Sequence, residues 1–403
     1  MHLPGGPLAQ LLALTLALGA QAALAQDAPP TVGAGGAPAV IDPAETPATQ
    51  PSQTPWVIPP SGPFSPQSIP VPNADEIAAW ARSAHANPTS ESFSHWNEQG
   101  EIPPVCANCH SGIGFRAYHG LDGGEPGPLR DPVPTGGVVD CGTCHNPGLA
   151  QISEVALPNG MMHPAPSGEV TCLTCHQGRA SGAQVEAATA GKDDDLPDPT
   201  LSFINPHYAI AAASWLGGYG ALGYHYPGRD YAGRFLHAAP VATCNSCHEP
   251  HSLEVAEASC LTCHQTGEAS QIRIARQSYD GSGDTAKGIH ADIAANAARL
   301  LAMAQDYAAT VAGTPMIYDA ARHPFFFADA NGDGLADQRD GASVPYGSWT
   351  PRLLRAAYNW KFVNADPGIH VHNPPYALQL LHDSIEDLSG PLNVDFEALG
   401  MLR

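Results

Sequence analysis

Apolar positions recur at helical spacing in only three stretches of the chain. From Ala291 to Ala308 they fall on one face of a helix. Thr350-Pro351 opens a second helix to about Phe362. Asn373-Pro374 opens a third to about Leu388, with Gly390 as its stop. Residues 90–270 show neither sustained alternation nor a helical period, and Gly and Pro interrupt them often. The pattern predicts a mostly irregular fold with α-helices and little sheet, and a helical C-terminal subregion over residues 281–403. At the other end, Leu8 to Leu18 is an apolar run too short to span a bilayer, followed by the small-x-small site Ala23-Leu24-Ala25. It reads as a signal peptide over residues 1–25, although Met1 to Pro7 carry no Lys or Arg. Residues 26–75 are dominated by Pro, Ala, Gly, Ser and Thr and read as an extended linker or arm. No later segment reads as transmembrane.

Composition sharpens one point. With 41 Gly, 40 Pro, 14% charged and 7% aromatic residues in 403, the chain is poor in the patterns that build a protein core. Something else must fill its centre. The formal charge of -22 excludes a nucleic-acid partner, since phosphate binding needs a basic face, and favours encounter with a basic partner patch.

The ten cysteines supply the missing filler. They fall as Cys106/Cys109 before His110, Cys141/Cys144 before His145, Cys172/Cys175 before His176, Cys244/Cys247 before His248, and Cys260/Cys263 before His264. Each is C-x-x-C-H, the c-type haem attachment pattern. Two thiols three residues apart lie along one side of a helical turn and form thioethers with the two haem vinyl groups. The adjacent imidazole then reaches the iron as proximal ligand. Zinc sites and disulfides do not require His after each pair. At 19 His in 403 residues, chance placement behind all five pairs has a probability of order 10⁻⁷. Residues 76–280 are therefore expected to bind five covalent haems that serve as the hydrophobic core.

Fourteen histidines lie outside the motifs, more than enough to close the second axial position of every haem. Ser94-His95-Trp96-Asn97 with Glu101-Ile102-Pro103, and His176-Gln177-Gly178-Arg179, resemble periplasmic and extracellular multihaem cytochromes. So do Asn205-Pro206-His207-Tyr208, Phe235-Leu236-His237, His248-Glu249-Pro250-His251 and the run from Tyr346 to Leu388. That group includes octahaem reductase-like proteins and cytochromes that polymerise into extracellular filaments. The resemblance covers roughly residues 90–390. It implies distal ligation by His95, His207, His237, His251 and His372, with His119, His163 and His323 as rivals and Met161 and Met162 as weaker ones. His225, His290, His370 and His382 read as solvated or supporting residues.

A separate motif, D-x-N-x-D-G-x-x-D-x-x-D, runs from Asp329 to Asp340. Asp329, Asn331, Asp333, Asp337 and Asp340, with the Leu335 carbonyl, match the ligand positions of an EF-hand-like calcium loop; Gly334 makes its turn. Together these readings predict an exported, periplasmic or surface-exposed pentahaem cytochrome with bound Ca²⁺. It would carry electrons between redox partner proteins, and the resemblance implies filament self-association. The alternative from a different class is a multihaem reductase of a nitrogen or sulfur oxyanion, which needs one haem with an open face.

Overall fold

The three expected helices are present, and two of them begin where their capping residues place them. In the computed structural model, which describes residues 72–403 except 167 and 240, Thr350 accepts a hydrogen bond from Leu353 N at the start of one helix. Asn373 does the same for Tyr376 N at the start of another. The expected signal peptide and nearly all of the 26–75 arm lie outside the described residues.

In chain order the described helices are α1 (Ala74–Arg82), α2 (Glu91–Ser94), α3 (Pro104–His110), α4 (Gly112–Tyr118), α5 (Cys141–Cys144) and α6 (Val170–His176). There follow α7 (Gly182–Thr189), α8 (Ala211–Gly220), α9 (Glu257–His264), α10 (Ile289–Thr310), α11 (Pro351–Asn364), α12 (Ile369–His372) and α13 (Pro374–Leu392). Sheet is confined to four two-stranded antiparallel pairs among these residues. They are β1 (Glu101–Ile102) with β2 (Val133–Pro134), β3 (Glu154–Ala156) with β4 (Met162–Pro164), β5 (Met316–Tyr318) with β6 (Phe326–Ala328), and β7 (Gln338–Arg339) with β8 (Ala342–Ser343).

Helices α10, α11 and α13 pack on one another and build the main core. On α10 the buried positions Ile293, Ala297, Leu300, Ala304 and Tyr307 repeat every three to four residues, so one stripe faces inward. Helix α11 is buried nearly all round, through Leu353, Leu354, Ala356, Ala357, Tyr358, Trp360 and Phe362, and is the central helix. Helix α13 runs through Gly390 to Leu392, further than the glycine stop suggests, because Asn393 takes the left-handed conformation that ends it.

This core recruits more of the chain than residues 281–403. Val185 of α7, Ile210, Leu216 of α8, Leu222 and Tyr224 join the same cluster. Asp194 and Asp195 form ion pairs with Arg355 and Arg352 of α11, both at 2.7 Å. By contrast, the segments carrying the C-x-x-C-H motifs hold only two small clusters, Phe115 with Leu149, Val155 and Leu173, and Ile102 with Ala107 and Val133. Side chains thus fill the C-terminal centre, and the expectation of a haem core is confined to the motif-bearing segments. Helices α3 and α4 approach so closely that a Cβ on Gly114 would stand 2.2 Å from Ala107 O.

Asn359 holds the segment after α8 to the core. It is fully buried, accepts from Tyr224 N at 2.8 Å, and donates to Tyr224 O at 3.0 Å and Ser384 Oγ at 3.1 Å. The change N359A strands these buried groups and is expected to cost about 3 kcal/mol. Thermal unfolding of the haem-loaded protein checks this: the midpoint falls while the visible spectrum below the transition is unchanged.

Candidate haem-binding site

Each motif begins on a short helix or turn. Cys106, Cys109 and His110 lie on α3, which Pro103-Pro104 opens. Cys141 and Cys144 form α5, with His145 closing it; Asp140 caps its start by accepting from Thr143 N and is held by Arg116 at 2.6 Å. Cys172, Cys175 and His176 lie on α6, and Cys260, Cys263 and His264 on α9. Cys244 opens a single 3-10 turn, Cys247 closes it, and His248 follows. All ten cysteines are free of disulfides.

The motif histidines each face one histidine from elsewhere in the chain. Ring centroids are 5.8 Å apart for His110–His207, 6.1 Å for His145–His251, 6.2 Å for His176–His85, 6.3 Å for His248–His372 and 6.1 Å for His264–His237. Two imidazoles bound trans to one metal, with bonds of about 2 Å, have centroids roughly 6 Å apart. The narrow spread of the distances contrasts with the ring-plane angles, which run from 7° to 86°.

Hydrogen bonds orient many of these rings. His110 Nδ1 lies 2.7 Å from Ser92 O, and His176 Nδ1 lies 2.7 Å from Ala209 O. His372 Nδ1 is 2.8 Å from the Asp366 carboxylate, and His251 Nδ1 is 3.1 Å from Glu249. Weaker contacts join His248 Nδ1 to Leu253 O at 3.5 Å and His237 Nδ1 to Ala238 O at 3.4 Å. Donation from Nδ1 leaves the lone pair on Nε2, the nitrogen a metal takes. Burial acts in the same sense on others. It lowers the pKa of His85 and of His207 to about 4 and pulls those of His110 and His176 down, which favours neutral, ligating imidazoles. At His372 burial is the largest single influence and works downward, but the hydrogen bond and charge of Asp366, with Cys244 nearby, together outweigh it and the net shift is upward.

Of the histidines expected opposite the motifs, His207, His237, His251 and His372 are placed there and His95 is not. Its ring is exposed, 2.7 Å from Glu91 one helical turn earlier, and lies edge-on to Trp96. His85 stands opposite His176 instead. It sits on a 3-10 turn just after α1, where Val139 N bonds its carbonyl at 3.1 Å and Trp80 Nε1 bonds Val139 O at 2.9 Å. Local sequence could not separate the two, because the short motif resemblance began after His85. The signal available was the amphipathic α1 ending at Arg82, which needs a docking surface and brings His85 to one.

The rivals have other surroundings. His119 Nε2 bonds Thr174 Oγ1 at 2.9 Å, His163 is buried against Trp215 and Tyr219, and His323 packs on Phe325. Met162 is exposed and Met161 packs against the main core. His225 bonds Tyr376 Oη at 2.8 Å, and His290 and His370 face each other at 4.6 Å. His382, Asp383 and Glu386 come together, but Arg403 and Arg229 already neutralise the two carboxylates.

The motif segments are close neighbours. Cys109 Sγ is 3.5 Å from Thr174 O, and Cys175 Sγ is 3.9 Å from Asn108 O, so α3 and α6 stack. One loop, residues 205–210, serves two sites, since it presents His207 to His110 and the Ala209 carbonyl to His176. Its backbone is strained to do so, with φ of 96° at His207 and 49° at Ala209.

The 329–340 loop folds around its own acidic residues. Asp329 accepts from Asp333 N and Gly334 N, both at 3.0 Å, and Asp337 accepts from Ala330 N at 3.0 Å. Strands flank it instead of helices. Asp340 therefore lies in the exposed turn of the β7–β8 hairpin, with φ 52°, where no following helix swings it back over the loop.

Five C-x-x-C-H motifs with opposed imidazoles are the arrangement of a multihaem c-type cytochrome. The chain is similar to proteins of that class. It is 27% identical over 326 residues to the C-type polyheme cytochrome OmcC of Geobacter sulfurreducens, covering 73% of this chain and 37% of the relative. It is also 27% identical over 277 residues to the C-type polyheme cytochrome OmcB of the same organism, covering 59% of this chain and 33% of the relative. The chain spans about a third of the length of the curated relatives it matches. No protein-family model and no solved structure matches it. Among the described residues no helix is long and apolar enough to cross a membrane.

Proposed function

We propose that the chain is an exported cytochrome that binds five haem c groups and passes electrons along them, each iron held by two histidines. The observation that carries this reading is the one-to-one pairing of motif and non-motif histidines at 5.8–6.3 Å. The pairs that would hold the five irons are then His110 with His207, His145 with His251, His176 with His85, His248 with His372, and His264 with His237. Iron closed on both faces exchanges electrons without binding substrate, whereas a reductase would keep one face open. Five-of-five pairing therefore favours the carrier over the oxyanion reductase. Covalent haem supplies the redox chemistry. The chain fixes the rings, their tautomers and the spacing between neighbouring sites. His248 and His251 lie three residues apart on one segment and would join two haems directly.

The negative charge of -22 suits a redox partner with a basic patch, as sequence had suggested. Export rests on the apolar leader with its Ala23-Leu24-Ala25 site. Filament formation rests only on the resemblance, and negative-stain microscopy of concentrated protein tests it. Calcium would sit in the 329–337 turn on Asp329, Asn331, Asp333, Asp337 and the Leu335 carbonyl, without Asp340, and would brace β6 and β7 structurally.

Pyridine haemochrome analysis and the low-temperature EPR of the full-length protein test the central reading. Five haems are expected, all low-spin and none binding carbon monoxide after reduction. Replacing His85 by Ala is expected to convert one haem to a high-spin form that takes the gas, while H95A leaves all sites closed. The reverse result would restore His95 as the ligand and remove His85.

The calcium site has its own test. At free calcium a hundredfold above Kd, binding adds about 2.7 kcal/mol of stability. Chelation is thus expected to lower the thermal midpoint of the wild type. D333N should abolish that difference without changing haem content, and D340N should leave it intact.

A further inference from the structure

Lys361 is a buried cation with no counter-charge among the described residues. On α11 it is 6% exposed, and its Nζ donates to Tyr318 Oη at 2.9 Å. Three rings surround the ammonium, Tyr208 at 5.2 Å, Phe325 at 5.3 Å and Tyr318 at 5.4 Å. Among the described residues no carboxylate pairs with it. Other sequestered cations of this chain are paired: Arg273 reaches Asp292 at 2.7 Å, and Arg352 and Arg355 reach Asp195 and Asp194. In a chain with 39 acidic and 17 basic side chains, an unpaired buried ammonium is out of keeping. Aromatic faces return about 2 kcal/mol to a desolvated cation, less than the several kcal/mol that desolvation costs. Burial pulls the Lys361 pKa down, and an anion beside the ammonium would offset that loss.

The cage points to the source of that anion. Tyr208 is shared. Its ring lies under Lys361 and also 4.9 Å from the ring of His207, which faces His110 at 5.8 Å. The contact between α11 and this loop is fixed by the backbone, as Ile210 N bonds Ala365 O at 3.4 Å.

We propose that Lys361 is the counter-charge of a propionate on the haem attached at Cys106 and Cys109, and that it raises that haem's reduction potential. The proposal rests on the bis-histidine reading of the His110–His207 pair. A fixed positive charge favours the ferrous over the ferric state, so Lys361 makes this haem an easier electron acceptor than its ligands alone would. Tyr318 orients the ammonium, and the aromatic walls exclude the water that would screen it.

Potentiometric titration of the full-length, haem-loaded protein tests this, followed by visible absorption. K361M and K361Q are each expected to lower one midpoint by about a tenfold change in its reduction equilibrium, about 59 mV for a one-electron couple. K361R keeps the wild-type value. K361Q retains a donor for Tyr318, so a loss of packing alone would not move it. The haem is assigned in an H207M background, where methionine ligation lifts the midpoint of the first-motif haem above the others. The lysine effect must follow that lifted wave. Unchanged midpoints in a low-spin, fully loaded K361M or K361Q would overturn the proposal, as would a shift that stays on another haem. A wild-type protein whose EPR shows the first-motif haem high-spin overturns the bis-histidine reading first, and the proposal with it.

Discussion

Two imidazoles can share one metal only if their ring centroids are held roughly 6 Å apart with the right nitrogens turned inward. Five histidine pairs of this chain stand at that separation, 5.8–6.3 Å, and the local structure around them follows from holding it. Long regular elements would serve it poorly, because a helix sets ring positions by its own period. Short helices of one or two turns present each motif, and loops bring the opposing ring from a distant part of the sequence. The strained loop 205–210 is the clearest instance, with two non-glycine residues at positive φ so that a ring and a carbonyl can reach adjacent sites.

Loops cannot hold such tolerances unless something rigid anchors them. The three long helices supply that rigidity with a conventional apolar core. From it project His372, oriented by Asp366, and the end of α11, to which Ile210 is bonded. The core also reaches back to the segments that follow α7 and α8 through Asn359, Tyr376 and the arginine pairs of α11. The protein is thus divided physically into a part filled by its own side chains and a part with few apolar side chains of its own. The latter is what covalent haem would complete.

The relatives named above are polyheme cytochromes roughly three times longer than the region they share with this chain. The proposed electron path needs only neighbouring sites, and the stacking of α3 on α6 and the His248–His251 segment supply these locally. Differences among sites then come from their surroundings. A carboxylate behind His372, a carbonyl behind His110 and an ammonium near His207 would each bias the electron differently.

The C-x-x-C-H motifs were legible in the linear chain because covalent haem attachment calls for two cysteines and a histidine within five consecutive positions. The α10, α11 and α13 helices were legible for a similar reason, since caps and a 3.6-residue period are local. Opposing histidines are set by contacts between distant segments: His207, His237, His251 and His372 stand opposite motif histidines, whereas His95 does not and His85, which no short motif singled out, does. Only the docking of α1 against Val139 distinguishes them. Asp340 likewise fits its linear pattern yet leaves the loop, because the chain continues as a hairpin. Recruitment of Val185, Ile210, Leu216, Leu222 and Tyr224 into the C-terminal core was equally hidden, since burial of a short helix depends on its neighbours more than on its own period. Covalent chemistry and helix periodicity act between residues close in sequence; ligand pairing and burial act between residues close only in space.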